Sequence, residues 1–150
     1  MVLTTPGTYP IEKRLADLGL RDRVVVPGYV PSDVLETLYA GALVFVYPSL
    51  YEGFGFPPLE AMARGVPAIV SNASSLPEVV GDAAVLVDPK KPSALADAIV
   101  TLSQDVARRR ELVERGRRRA AFYRWERTAE RHLDVFRSVV GIHEHSSSGV

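Results

Sequence analysis

Pro48-Ser49-Leu50-Tyr51-Glu52-Gly53-Phe54-Gly55-Phe56-Pro57-Pro58-Leu59-Glu60-Ala61-Met62-Ala63 follows directly on the aliphatic run Leu43–Tyr47. The run has the composition of a buried strand, so this stretch leads from a strand end through a glycine turn into a helix start. Ligands of open α/β sheets bind outside the carboxyl ends of the strands, which makes this a site by location. Gly53 and Gly55 let a ligand approach the backbone closely and meet its amides. The helix start adds the positive end of its dipole, so the expected guest is a phosphate or diphosphate. Pro57 and Pro58 suit a first helical turn but carry no N–H. The donors must therefore be the amides of Gly53, Phe54, Gly55 and Phe56, with Leu59 beyond the prolines.

Glu52 and Glu60 stand eight residues apart, one before the turn and one expected in the first helical turn. A carboxylate beside a phosphate site is a poor phosphate ligand but a good acceptor for hydroxyl donors, as on a ribose or a hexose. Two of them flanking one anion-binding turn suggest a nucleotide sugar. The plainer reading of Glu60 is a helix-terminus carboxylate that complements the dipole. Gly53-x-Gly55 is no dinucleotide fingerprint, because prolines stand where its third glycine would follow.

Outward from this segment, short aliphatic runs alternate with helical patterns. Val2–Thr5, Val24–Val26, Leu43–Tyr47, Ala68–Val70 and Ala84–Val87 read as strands buried on both faces. Between them, Pro10–Leu18 places Ile11, Leu15 and Leu18 on one face, and a helix opening at Ser32-Asp33 carries Leu35, Leu38 and Tyr39. Pro57–Arg64 reads as a helix stopped by Gly65, and Ser75-Leu76-Pro77-Glu78 has capping-box spacing. Strict alternation of this kind predicts an α/β fold, a parallel sheet with helices on both faces. After Asp88 only helices are expected: one from Pro92, a basic one over Asp105–Phe122, and a last one over Trp125–Val140. That last helix carries Trp125, Ala129, Leu133, Phe136 and Val140 along one stripe. The expected domain is 1–140, and 141–150 reads as a polar, disordered tail.

The bulk numbers exclude several classes. Lys plus Arg and Asp plus Glu are 18 each, so no net charge attracts nucleic acid or an anionic surface. There is no cysteine, which removes disulfides, thiolate catalysis and Cys-ligated metals, and fits a cytoplasmic protein. No apolar run approaches the roughly 20 residues of a membrane helix. His143 and His145 flank Glu144 in the tail and make no credible metal site. No cofactor is expected. The arginine triplets 108–110 and 117–119 read as a solvated helix face. His132 reads as a packed histidine and Phe56 as a core aromatic, a role also open to Tyr51 and Phe54.

Glu52 to Glu60 resembles the paired-glutamate motif of retaining GT-B glycosyltransferases, family 4 or group 1. Val24–Val30, Tyr47-Pro48-Ser49, Gly65–Val70, Leu76–Val80 and Ala84–Pro89 fall in that family's order, and Trp125 stands where the family often has an aromatic before its last helix. The resemblance spans about residues 1–140. It implies the donor-binding, Rossmann-like C-terminal half of an enzyme that transfers a hexose from a nucleoside-diphosphate sugar to a hydroxyl acceptor with retention. Glu52 would touch the transferred sugar as the catalytic residue, with the backbone of Gly53, Phe54, Gly55 and Phe56 beside it. Glu60 would take the ribose hydroxyls, and Gly28, Tyr29 and Val30 would line the base. No metal is implied. The pattern leans towards GDP-mannose and polysaccharide assembly, with UDP- and ADP-linked donors open. In such a parent enzyme the location would be cytoplasmic or peripheral to the inner face of the membrane.

Two parts of the family pattern have no counterpart in these residues: the acceptor-binding N-terminal domain, and the strand–helix unit whose loop carries a cationic diphosphate clamp. The chain alone is therefore expected to be inactive and to bind weakly. In the strand order 3-2-1-4-5-6 the missing first strand is central, which would leave an empty lane of unpaired backbone groups. A strand from outside the chain is the favoured remedy; an upstream segment or a closed-up sheet are the alternatives. The competing functional reading is a non-catalytic nucleotide-sugar binding module, or a structural half that pairs with another chain.

Overall fold

Three of the five aliphatic runs form a parallel sheet. The computed structural model describes residues 11–140 and divides the chain into two units, Met1–Gly41 and Ala42–Val150. In the first unit, helix α1 (Ile11–Asp17) buries Leu15, a short 3-10 turn covers Arg21–Arg23, and helix α2 (Ser32–Gly41) buries Tyr39. Leu18 is 53 % exposed and does not join the face expected of it. Val24–Val26 is not a strand: only Val25 forms an isolated bridge, and its side chain is 60 % exposed. Pro27 follows at once, and without an N–H it cannot extend a ladder. Val2–Thr5 lies outside the described residues, as does the tail 141–150.

The second unit runs β1 (Phe45–Tyr47), α3 (Phe56–Ala63), β2 (Ala68–Ser71), α4 (Leu76–Val80), β3 (Ala84–Val87), α5 (Pro92–Gln104), α6 (Val106–Phe122) and α7 (Trp125–Val140). The strands lie side by side in the order β1-β2-β3, all parallel. Phe45 pairs with Ala68 and Ala68 with Ala84, so the carboxyl ends of the strands fall together. Every residue of the central β2 is buried, whereas β3 leaves Leu86 40 % exposed. Leu43 is 56 % exposed, and the first strand begins two residues later than its composition suggests.

Period-two alternation divides the core. Ala68 and Val70 face α3 and α4, where Leu59, Met62, Leu76, Val79 and Val80 bury themselves. Ile69 and Val87 face the other way, onto Leu102 of α5 and Leu112 of α6. Each fully buried aliphatic side chain contributes about 1.5–3 kcal/mol, so truncating the completely buried Ile69 to Ala would be among the most damaging single changes. Helix α6 packs across α3 at Gly116, where a Cβ would lie 3.1 Å from Met62 Cγ. The end of α3 is a Schellman turn. Gly65, at φ +75°, donates to Met62 O, and Val66 donates to Ala61 O.

Helix α7 departs from the expected packing. Its apolar stripe is exposed along its whole length, with Trp125 80 %, Phe136 61 % and Val140 67 % accessible. His132 is exposed too, its Nδ1 2.7 Å from Thr128 O, so it is not a packed core histidine. No helix among the described residues is long and apolar enough to cross a membrane.

Candidate functional site

Strand β1 ends at Tyr47, and its neighbour β2 ends at Ser71, which is buried. Ser71 Oγ donates to Ser49 O at 2.5 Å and ties the loop after β1 to the end of β2. Glu52 then sits over the strand ends with an asymmetric carboxylate. Its Oε1 accepts from Tyr47 OH at 2.6 Å and from Ser49 Oγ at 2.8 Å, while Oε2 accepts from no described residue. The Tyr47 hydroxyl first, and the Ser49 hydroxyl second, hold the carboxyl below its ordinary pKa, against a slight opposing effect of desolvation. At neutral pH Glu52 is thus an anion with one oxygen satisfied and one open, which can accept a hydroxyl but cannot donate a proton.

The turn beyond it is held from the loop between β2 and α4. Ser75 Oγ donates to Glu52 O at 2.9 Å and to Phe54 O at 2.7 Å. Ser75 therefore does not cap α4, and its side chain makes no bond to that helix. The capping-box reading of Ser75 and Glu78 is overturned, because the hydroxyl finds better partners across the strand ends. Glu78 is exposed.

Gly55, at φ +124°, is the N-cap of α3, and a Cβ there would lie 2.6 Å from Leu76 Cδ2. Glycine is thus demanded at this position both by the backbone and by packing. The amides of Gly53, Phe54, Gly55 and Phe56 donate to no described residue, as the helix-start reading requires, whereas Leu59, fourth in α3, stands where the intrahelical ladder begins and is not one of the open donors. Helix α3 begins at Phe56, one residue before the sequence suggested, and no acid lies in its first turn. Glu60 is therefore in the second turn, which removes it from the strongest part of the dipole and counts against a mere end-of-helix role. It is half-buried, and Arg64 Nη1, four residues on, donates to its carbonyl at 2.9 Å.

Of the aromatics, Phe54 packs against the core cluster of α3 and α4, with its ring 4.9 Å from that of Phe56. Phe56 is 58 % exposed and Tyr51 81 % exposed, so neither is a core residue. The structure brings Glu52, Gly53, Phe54, Gly55, Phe56, Leu59 and Glu60 onto one turn and helix start. Gly28, Tyr29 and Val30 belong to the first unit, between the 3-10 turn and α2, where Gly28 has φ +67° and Tyr29 is 89 % exposed.

Sequence reading missed the supporting shell of Tyr47, Ser49, Ser71, Ser74 and Ser75. Tyr47 and Ser49 stand in the sequence only as part of the family pattern, without a role, and Ser71, Ser74 and Ser75 only as hydroxyls clustered after a strand end. The basic helix also differs from a simple solvated face. Arg109 Nη1 donates to Leu102 O and Ser103 O at the end of α5, and Arg119 Nε donates to Val79 O at the end of α4. Arg110, Arg117 and Arg118 are exposed as expected. A separate hollow of about 500 Å³, lined by Leu43, Gly65, Pro67, Val106 and Arg109 among others, opens at the amino ends of β1 and β2. Its Arg109 is committed to those carbonyls, so the strand-end turn is the better site. Among the described residues no group of three His, Asp or Glu could hold a metal ion.

A parallel sheet covered by helices on both faces, with a glycine turn and helix start at its strand ends, is the Rossmann-like architecture of the C-terminal half of GT-B glycosyltransferases. The family model described as glycosyl transferases group 1 matches residues 5–119, and the chain belongs to that family. It is 46 % identical over 110 residues to the O-antigen chain mannosyltransferase B of Escherichia coli, covering 73 % of this chain and 29 % of the relative. Among solved structures, sucrose-phosphate synthase from Thermosynechococcus elongatus superposes with a TM-score of 0.80 at 33 % identity, over 93 % of this chain and 38 % of that one. Anabaena HepE in complex with UDP-glucose superposes with a TM-score of 0.68 at 25 % identity, over 74 % of this chain and 31 % of that one. The chain thus spans less than a third of the curated mannosyltransferase it matches.

Proposed function

We propose that this chain is the donor-binding part of a glycosyltransferase that moves a hexose, mannose in preference, from a nucleoside-diphosphate sugar to a hydroxyl acceptor with retention of configuration. The observation that carries the reading is the half-occupied carboxylate of Glu52 beside a row of unspent amides. The open Oε2 is suited to a sugar hydroxyl, and the amides of Gly53–Phe56 are suited to the diphosphate. Glu60 is assigned to the ribose hydroxyls, and Gly28, Tyr29 and Val30 to the base. Glu52 orients the sugar and stabilises developing positive charge; an ionised, hydroxyl-bonded carboxylate is poorly suited to act as an acid. Similarity to an O-antigen mannosyltransferase favours a mannosyl donor and a saccharide or lipid-linked acceptor, handled by a further domain near the inner face of the membrane. A UDP-glucose complex of a structural relative supports the class of donor.

The chain by itself is proposed to be inactive and to need neither metal nor cofactor. A strand supplied from outside this chain is part of the same proposal. Calorimetric titration with GDP-mannose, UDP-glucose and ADP-glucose tests the reading. Binding of one of them, accompanied by amide shifts at Gly53–Phe56, is expected. Shifts confined to α5–α7 would refute it. Binding with those shifts but no transfer when the chain is supplied with an acceptor-binding domain would favour a non-catalytic nucleotide-sugar module.

A further inference from the structure

The turn that carries Glu52 is held on one side by serines and on the other by an aromatic ring from the far end of the chain. Tyr123 caps the carboxyl end of α6, and its ring meets the Phe54 ring edge-on, with centroids 5.5 Å apart and planes at 83°. Edge-on is one of the two arrangements that aromatic pairs favour, and it stabilises beyond the area it buries. Tyr123 is itself fixed from two directions. Its N–H donates to Ala120 O at 3.0 Å, and its hydroxyl accepts from Arg119 Nη2 at 3.0 Å. Arg119 stacks over the Tyr123 ring with its guanidinium carbon 5.3 Å from the centroid, and donates to the carbonyls of Glu78 and Val79.

Arg119 therefore joins the end of α6 to the end of α4, whose start is next to Ser74 and Ser75. Those two serines hold the main chain of Glu52 and Phe54. The ring of Phe54 is clamped by Tyr123, and its carbonyl is clamped by Ser75. Both clamps act on the segment whose amides and carboxylate form the donor site.

We propose that Tyr123 is a positioning residue for donor binding: through its edge contact with Phe54 it holds the Glu52–Gly55 turn in the geometry that meets the diphosphate and the sugar. The proposal rests on the donor-binding reading of that turn. It assigns a role in the site to the end of α6, about 70 residues downstream of the residues that touch the ligand.

The test compares the 150-residue chain with Tyr123→Leu, Tyr123→Phe and Leu112→Ala. Leu112 belongs to the core cluster on the opposite face of the sheet and serves as a control for general destabilisation. Two quantities are read well below the melting temperature: hydrogen exchange at the Glu52 amide without ligand, and affinity for GDP. Tyr123→Leu should speed the exchange and weaken GDP, each by about tenfold, the upper end of what a lost aromatic pair provides. Tyr123→Phe keeps the ring and should restore both to within about threefold, since Arg119 retains its two carbonyls. Leu112→Ala should lower the melting temperature and leave the GDP affinity unchanged.

Wild-type exchange and affinity in Tyr123→Leu would overturn the proposal, as would a Leu112→Ala chain that loses GDP equally. If Tyr123→Leu does not fold, Phe54→Leu removes the same ring contact from the other side and must show the faster Glu52 exchange. If the wild-type chain binds no GDP, the donor reading has failed. The exchange comparison then still decides whether Tyr123 holds the turn.

Discussion

Ser74 engages both main-chain polar groups of Glu52: its Oγ accepts from the Glu52 N–H at 2.9 Å and donates to the Glu52 carbonyl at 3.0 Å. Ser74 does so from φ +49°, a left-handed conformation that a side chain adopts at a cost of about 1–3 kcal/mol. Strain at this residue coincides with the reciprocal hold it places on the residue proposed to meet the sugar. The bond also spends the Glu52 amide, so the anion-facing donors begin at Gly53.

Two substitutions at Ser74 separate its hydrogen bonds from its backbone strain. Ser74→Ala loses both bonds while keeping the unfavourable φ, and should destabilise by about 1–2 kcal/mol in urea unfolding. Ser74→Gly loses the same bonds but relieves the strain, so it should be less destabilising than Ala by about 1 kcal/mol. Equal stability of the two variants would show that φ at this position is not strained.

The Glu52 carboxylate should titrate below its ordinary 4.5, and Tyr47→Phe should raise it towards that value, as followed by carboxyl carbon chemical shifts. The sign for stability follows from a folded-state pKa that is depressed. The Tyr47–Glu52 bond contributes fully above the unfolded-state pKa, and the contribution is lost as pH falls through the folded-state value. The stability gap between the wild-type chain and Tyr47→Phe should therefore be widest above pH 4.5 and narrow as the solution is acidified below it. A gap that stays constant across that range would mean that the hydroxyl does not favour the ionised form.

Gly53 and Gly55 should behave differently although they stand in one turn. A Cβ at Gly55 would lie 2.6 Å from Leu76 Cδ2 and would demand a φ of +124°, so Gly55→Ala should destabilise by about 2–4 kcal/mol. A Cβ at Gly53 meets nothing within 4 Å, so Gly53→Ala should stay within about 1 kcal/mol of wild type. If a diphosphate rests against this backbone, Gly53→Ala should nonetheless lose affinity for GDP. Thermal melts with and without nucleotide measure both effects.

Nucleotide binding should be insensitive to chelator. The motif segment has no Asp-x-Asp pair, and Glu52 Oε1 is already taken by two hydroxyls. Calorimetry with GDP in EDTA and in millimolar Mg²⁺ should give the same dissociation constant. A tenfold gain with the ion would point to a metal-bridged diphosphate.

Strand–helix alternation, the β2 and β3 runs, the Gly65 stop and the Glu52–Glu60 turn could all be read from the residues, because each depends on interactions a few positions apart. Periodicity places side chains on a face, and a glycine or proline restricts its own backbone whatever surrounds it. Other features depended on what lies across space. Val24–Val26 has strand composition but pairs only at Val25, since a ladder needs a partner that composition does not name. Ser75 and Glu78 satisfy a capping-box pattern, but tertiary folding brings the carbonyls of Glu52 and Phe54 within reach of the same hydroxyl. The arginines of α6 look alike in sequence. Only their positions around the cylinder send Arg109 and Arg119 onto the ends of α5 and α4 and leave Arg110 and Arg118 exposed. Which carboxylate oxygen of Glu52 stays open was likewise decided by the meeting of Tyr47 and Ser49 on one side of it, a matter of angles that residue spacing does not encode.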